Sequence, residues 1–294
     1  MENANSIIIN RFFTRNTFRE IIDDGNSNVY STVVKRIIDD PSGLSNSECI
    51  YEIYHYLKSE YRNEYFYKNT LLNKLLLGIH NTQTTTALTE VPIGSSKADF
   101  ILINGKAVVY EIKTDLDNFD RLNGQISDYY KAFSRVAVVT SESNYEEICR
   151  RLEKSPTGIY ILTKRGTLSE RKKAEEFTDE LSSLTMFKIL RKYEYEKLLV
   201  EKFGTLPEVS QFEYYRACLA LFESIPIAEA YKVFLKMLKE RSRVEANEFE
   251  KVPYELKFLV YFSNLKKQDY SRLNTFLRTK EVCNVFADIS RSYL

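Results

Sequence analysis

The chain has almost no net charge. Its 294 residues carry 42 basic against 41 acidic side chains, a formal net charge of +1 at neutral pH. A protein that coats nucleic acid carries a strong basic excess, so any nucleic-acid contact here is expected to be local, in a groove beside a site. Cysteine is scarce, and Cys49, Cys149, Cys218 and Cys283 show no paired spacing. Neither a disulfide framework nor a zinc site is indicated, and a reducing cytoplasm is the expected compartment. The only histidines, His55 and His80, are too far apart in the chain to form a histidine metal motif. Long apolar runs are missing too. Ile7-Ile8-Ile9 is brief, and the start Met1-Glu2-Asn3-Ala4-Asn5 has no basic region, so neither a signal peptide nor a membrane span is expected. There is no repeat at a fixed period and no helix-turn-helix or zinc-finger signature.

What is present is concentrated between Ser95 and Tyr129. Lys97 to Ile103 and Ala107 to Lys113 are rich in β-branched and aromatic residues, and Asn104-Gly105 between them is a strong hairpin signal. The two runs are expected to pair antiparallel. Side chains alternate along a strand, so Val109, Glu111 and Lys113 share one face. Register decides whether Asp99 joins them. A two-residue loop places Asp99 opposite Tyr110, whereas a three-residue loop that includes Lys106 places it opposite Glu111. The three-residue loop, or a bulge of equal effect, is predicted, with Gly105 supplying the left-handed conformation.

In that register two carboxylates converge where a hard cation such as Mg²⁺ or Mn²⁺ could sit, polarise a phosphoryl oxygen and sharpen a bound water. Lys113 would orient that water or meet charge developing on the phosphate. Three charges on one strand face make poor sense as packing, although a cross-strand ion pair for Glu111 and Lys113, and a turn cap for Asp99, are the plainer alternatives.

Asp99 followed by Glu111-Ile112-Lys113 resembles the Asp…(Asp/Glu)-x-Lys signature of the PD-(D/E)XK superfamily, the restriction-endonuclease-like nucleases, with Ala98 where the naming proline would stand. Gln125-Ile126-Ser127-Asp128-Tyr129 resembles the Gln-x-x-x-Tyr helix motif of its RecB-type branch. The run from Tyr110 to Leu122 also resembles a group of uncharacterised bacterial proteins of that superfamily. The resemblance covers roughly residues 63 to 162, one domain's worth of chain. It implies metal-dependent hydrolysis of phosphodiester bonds, with nucleic acid, DNA preferred, as substrate and partner. Asp99, Glu111 and the Ile112 carbonyl would hold the metal, and Gln125 would position metal or phosphate. It also implies an acidic residue from the first helix. Glu64 is the first choice because positions 64, 71 and 75 fall on one helical face, with Glu60 and Glu90 as fallbacks. Arg121, Lys131 and Arg135 could meet phosphates, and Tyr129 would face the same site. Asp115, Asp117 and Asp120 form an acidic loop that could recruit a second metal, helix capping being the more ordinary role.

The order of elements agrees with an α/β fold: a helix at 63–78, a strand at 84–93, the hairpin, a helix at about 121–133 and a strand at 136–140. This is the αβββαβ order that the resemblance to the restriction-endonuclease-like type implies for its core, extended by a helix at 145–153 and a strand at 158–162. The expected organisation is an N-terminal helical arm at 1–62, the nuclease core at 63–168 and a C-terminal all-α domain at 169–294. In the arm, Phe12, Phe13, Phe18, Ile21 and Ile22 mark one helix and Val29 to Ile38 a second. In the C-terminal part, Phe212, Tyr215, Leu219 and Phe222 form one stripe and Tyr231, Phe234, Leu235 and Leu238 another, as a helical bundle requires. Such stripes are read as core and not as base-stacking platforms. Basic clusters at Arg171-Lys172-Lys173, at Lys236, Lys239, Arg241 and Arg243, and at Lys266-Lys267 leave room for phosphate contacts. The large helical part could hold a protein partner, as in a regulated bacterial defence or DNA-processing enzyme. The alternative is a non-catalytic module that binds nucleic acid or protein on the same fold.

Overall fold

The computed structural model describes residues 4–78, 84–241 and 244–280; His80, Arg243 and Cys283 lie outside the described residues. The chain forms two compact units, one from Met1–Asn73 with Val244–Leu294 and one from Lys74–Arg243. The expected organisation was an arm, a core and a C-terminal helical domain; here the described residues up to Asn73 group with those from Val244 to Lys280, and the helices directly after the sheet belong to the sheet's own unit.

The first unit opens with α1 (Ala4–Phe12), α2 (Arg15–Asp24), α3 (Asn28–Ile37), α4 (Asn46–Glu60) and α5 (Glu64–Leu71). One continuous first helix was expected, but the chain breaks between Phe12 and Arg15. Thr14 turns extended there and its side chain accepts from the Thr17 amide as an N-cap, which satisfies an end donor that a continuous helix would not have left open. The predicted helix at 63–78 is α5 followed by a π-helical turn at Leu72–Leu77, and Leu71, Leu72, Leu75 and Leu76 are all buried.

The second unit is built on six strands: β1 (Thr86–Ile93), β2 (Ser96–Asn104), β3 (Lys106–Lys113), β4 (Val136–Thr140), β5 (Gly158–Leu162) and β6 (Leu168–Lys172). They lie side by side in chain order. β1, β2 and β3 form an antiparallel meander, β3–β4 and β4–β5 pair parallel, and β6 returns antiparallel to β5. Parallel neighbours need a crossover, and the two here contain α6 (Leu122–Tyr130) and α7 (Tyr145–Arg151). β6 was not expected, since the all-α part was to begin at 169. Its sequence Leu-Ser-Glu-Arg-Lys is charged and only partly buried, as suits an edge strand that must not recruit another chain.

Helices α8 (Ser183–Ile189), α9 (Lys192–Phe203), α10 (Gln211–Glu223) and α11 (Ile227–Lys239) follow. Phe187, Leu198, Phe222 and Phe234 share one continuous core with Ile101, Val109, Val138 and Ile159 of the sheet. These helices are therefore a layer of the sheet unit and not a separate bundle. Phe222 is fully buried, but Phe212, assigned to the same stripe, is 96 % exposed, and Tyr215 is exposed as well.

The chain then completes the first unit with α12 (Ala246–Glu250), α13 (Lys257–Phe262) and α14 (Lys267–Arg278). Asn46 ties the two segments of that unit together, accepting from Tyr30 at 2.7 Å and donating to the Phe276 carbonyl at 2.9 Å. Asn69 does the same deeper in, donating to Tyr54 Oη and to the Tyr254 carbonyl and accepting from the Phe258 amide, each at 3.0 Å. Among the described residues no helix is long and apolar enough to cross a membrane.

Candidate active site

The β2–β3 hairpin sets the site. Ile103 pairs with Ala107 and Phe100 with Tyr110, the register of the three-residue loop, and Gly105 takes a φ of +68° at its tip. Continued by one step, that register carries Asp99 to the level of Glu111. There the main-chain ladder ends, and the Asp99 carboxylate replaces it by accepting from the Ile112 amide at 2.8 Å.

Across from Asp99, β1 departs from regular geometry. Thr89 pairs with Phe100 and Val91 with Ala98, so Glu90 sits opposite Asp99. Glu90 has a φ of +58°, a left-handed conformation that costs a residue with a side chain about 1–3 kcal/mol. The result is that carboxylate oxygens of Glu90 and Asp99 lie within 4.8 Å of one another. Lys97, two residues before Asp99, forms an ion pair with Glu90.

Glu111 is 1 % exposed and Lys113 is 8 % exposed. β3 presents both toward α6, which supplies their partners. Gln125 Nε2 donates to Glu111 Oε1 at 2.5 Å, while Gln125 Oε1 accepts from Lys113 Nζ at 2.9 Å. Lys113 Nζ also lies 3.1 Å from Glu111 Oε1. One turn on, Tyr129 Oη donates to Glu111 Oε2 at 2.6 Å and lies 3.0 Å from the Lys97 carbonyl. Residues four apart on a helix face the same way, which is how one helix reaches both carboxylate oxygens.

The electrostatics follow from burial. Desolvation raises the Glu111 pKa above the ordinary carboxylate value, against the lowering effect of Tyr129, Lys113 and Gln125. The Tyr129 hydroxyl is pushed far up by burial and then by the neighbouring charge of Glu111, so it stays a proton donor. Glu111 is a carboxylate held in a dry place by donors on both oxygens, the condition under which a buried charge persists.

Asp128 fixes α6 against the β1–β2 turn. Its Oδ2 accepts from the Ser95 amide at 3.0 Å, from Ser95 Oγ at 2.9 Å and from Ser96 Oγ at 2.8 Å, and its Oδ1 meets Lys131 Nζ at 2.8 Å. Burial opposes ionisation, but donation from Lys131, Ser96 and Ser95 outweighs it and holds the Asp128 pKa at about 2. Gly94 is the matching half of this contact. A Cβ there would fall 2.6 Å from Asp128 Oδ1, and its φ is +60°, so only glycine fits without a shift.

Asp99, Glu111, Lys113 and Gln125 thus come together as expected, and Ile112 joins them through its amide to Asp99. Other assignments change. Tyr129 is fully buried, so it serves Glu111 and not a nucleic-acid surface. Lys131 is bound to Asp128, and Arg135 donates to the Ala174 carbonyl and pairs with Glu176. Arg121 is exposed at the start of α6. Glu64, the first choice for the helix's acidic residue, is exposed at the first position of α5, with its carboxylate 2.5 Å from Lys68 Nζ. The acidic loop is internally engaged: Asp117 accepts from the Thr114 amide and hydroxyl at 2.8 and 2.7 Å, and Asp115 accepts from Ser141 and Ser143. Arg241 is tied to Glu194 and the Ile189 carbonyl, which removes it from the expected phosphate-binding cluster. Asp128 was missed as a positioning residue. Its signal was the Gly94-Ser95-Ser96 turn, which needs an acceptor.

Residues 57–260 match the family model described as bacteriophage P4 protein cII. The chain belongs to the bacteriophage P4 protein cII family. The matched span contains every residue of the Asp99, Glu111, Lys113, Gln125 and Tyr129 constellation. Protein cII of Enterobacteria phage P4 is 24 % identical over 158 residues, which cover 53 % of this chain and 58 % of that protein. The match therefore spans little more than half of the curated relative's own length. A solved structure of a protein of unknown function from Silicibacter pomeroyi aligns at 15 % identity with a TM-score of 0.27, covering 45 % of this chain and 87 % of that one. The family membership rests on the family model alone.

Proposed function

We propose that this cII-family chain is a metal-dependent nuclease of the restriction-endonuclease-like kind, hydrolysing phosphodiester bonds with DNA as the preferred substrate. The observation that carries the reading is the closed network of Glu111, Lys113, Gln125 and Tyr129 beside Asp99. Buried titratable groups with shifted pKa values cluster at functional sites. The succession of α5, β1, β2, β3, α6 and β4 has the αβββαβ order of that superfamily, and its motif residues supply the resemblance on which the choice of DNA rests.

The donor set suits a hard divalent cation, Mg²⁺ or Mn²⁺: it consists of carboxylate and carbonyl oxygens. Asp99, Glu111 and the Ile112 carbonyl would hold it, with Glu64 still the first choice for a further carboxylate and Glu90, whose carboxylate lies within 4.8 Å of Asp99, the fallback. When bound, the cation would polarise a phosphoryl oxygen and lower the pKa of a water. The chain's own contribution is order and charge. Gln125 and Tyr129 fix the Glu111 carboxylate, so it needs no reorganisation to accept a ligand. Lys113, held by Gln125 and Glu111, brings a positive charge to the place where charge on the phosphate would grow.

The test is twofold. Calorimetric titration with Mn²⁺ should show binding by the wild type that Asp99→Ala and Glu111→Gln lose. Incubation with circular and linear DNA, single- and double-stranded, and with RNA, each in Mg²⁺, Mn²⁺ or EDTA, should show cutting only with metal. Metal binding without cutting of any substrate would move the chain to the non-catalytic binding module.

A further inference from the structure

The far end of the β2–β3 hairpin from the site opens on a groove of about 600 Å³. Its floor is apolar, built by Ile103 of β2, Leu181, and Ile227, Tyr231 and Leu235 of α11. The three α11 residues are spaced by four, so they make a straight stripe along the helix. Ile227 is 41 % exposed, and the Tyr231 ring is held in place by hydrogen bonds between its hydroxyl and the amide and hydroxyl of Ser134 at 3.0 and 3.1 Å.

Lysines line the rim. Lys236 is occupied by Glu201 at 2.7 Å. Lys106 at the hairpin tip and Lys232 and Lys239 on α11 also line the groove, are exposed, and have no carboxylate partner among the described residues. The one carboxylate in the lining, Glu176, is taken by Arg135 at 3.0 Å.

We infer that this groove is a docking site for an acidic, amphipathic peptide segment of a partner protein. Charge and shape select that occupant. A small ligand needs polar groups that converge on one point, whereas Lys232 and Lys239 are about 10 Å apart along α11 at 1.5 Å per residue, with Lys106 on the opposite wall. A row of cations beside an apolar stripe matches a segment that sets apolar anchors at helical spacing next to carboxylates. The inference is independent of the nuclease reading, because no residue of the groove belongs to the site.

The experiment selects binders to the full-length chain from a displayed library of random peptides and measures the affinity of the enriched ones by fluorescence anisotropy. The expected result is enrichment of peptides with Asp or Glu beside apolar residues at three- and four-residue spacing. Their binding should weaken at least tenfold in the Lys106→Glu, Lys232→Glu, Lys239→Glu triple variant and in Ala228→Trp, which fills the groove from an exposed position. Enriched peptides without acidic residues, or binding that both variants leave intact, would overturn it. Lysine-dependent binding of a labelled single-stranded oligonucleotide with no peptide enriched would also overturn it and assign the rim to nucleic acid.

Discussion

Lys113 Nζ lies 3.1 Å from Glu111 Oε1, two residues away on the same strand face, and both side chains are buried. Neighbours i and i+2 on a strand point the same way. Here that proximity gives a desolvated carboxylate its only cation within the network, while burial still raises its pKa.

Glu111→Gln should therefore abolish metal-dependent cleavage and remove the wild type's loss of stability with rising pH, although it leaves the buried Lys113 without its anion. A folded-state pKa above the unfolded value near 4.5 means that the folded state holds its proton more tightly. Stability is then greatest below the unfolded pKa and falls as pH rises through the folded one. Thermal melts of wild type and variant across pH 4 to 8 check this. The variant should gain stability relative to the wild type toward neutral pH.

Lys113→Ala should have the opposite sign. It leaves a buried carboxylate without its cation, a change that costs about 3–5 kcal/mol where a buried pair is broken. Protonation of Glu111 relieves the loss, so the deficit should shrink as pH is lowered. Denaturant unfolding at two pH values, together with the Glu111→Gln, Lys113→Ala double variant, measures the coupling.

Tyr129→Phe removes the donor to Glu111 Oε2 and leaves the ring in the core. Groups that orient a metal ligand are typically worth 10- to 100-fold in affinity or activity, so Mn²⁺ affinity or cleavage rate should fall by about that factor while the fold persists. Calorimetry reads the first and single-turnover kinetics the second.

Asp128 and Gly94 test the placement of α6. Gly94→Ala puts a Cβ 2.6 Å from Asp128 Oδ1 at a φ of +60° and should destabilise by about 1–3 kcal/mol. Asp128→Asn should lose the acid-end contribution of a carboxylate whose pKa is about 2. That stability is present above the unfolded value of 3.8 and lost as pH falls through about 2, so the wild type and Asp128→Asn should converge in stability near pH 2.

The sequence made the hairpin and the motif legible for a physical reason. Asn104-Gly105 marks a turn, and the period of two puts Glu111 and Lys113 on one face; the turn alone left two registers open, the three-residue one being chosen because it brings Asp99 to Glu111, and Gln125 entered only through the resemblance of its helix motif. β4 and β5 were legible to the residue because short apolar runs between turns have few other readings. β6 was not, because an edge strand is charged by necessity. The break at Thr14 was masked by apolar residues that keep helical phase across it. The left-handed Glu90 leaves no trace in composition, and the assignment of the chain's two ends to one unit depends on Asn46 and Asn69, whose partners lie roughly two hundred residues away. Local pattern does not encode such partners.

The central claim is tested most directly by one rate comparison: DNA cleavage by wild type, Asp99→Ala and Lys113→Ala, each shown to be folded by circular dichroism, in Mg²⁺ and in EDTA. The account predicts cutting by the wild type in Mg²⁺ alone, abolished by EDTA and by either substitution. Cutting that both variants retain, or a folded wild type inert toward every nucleic acid with either metal, would contradict it.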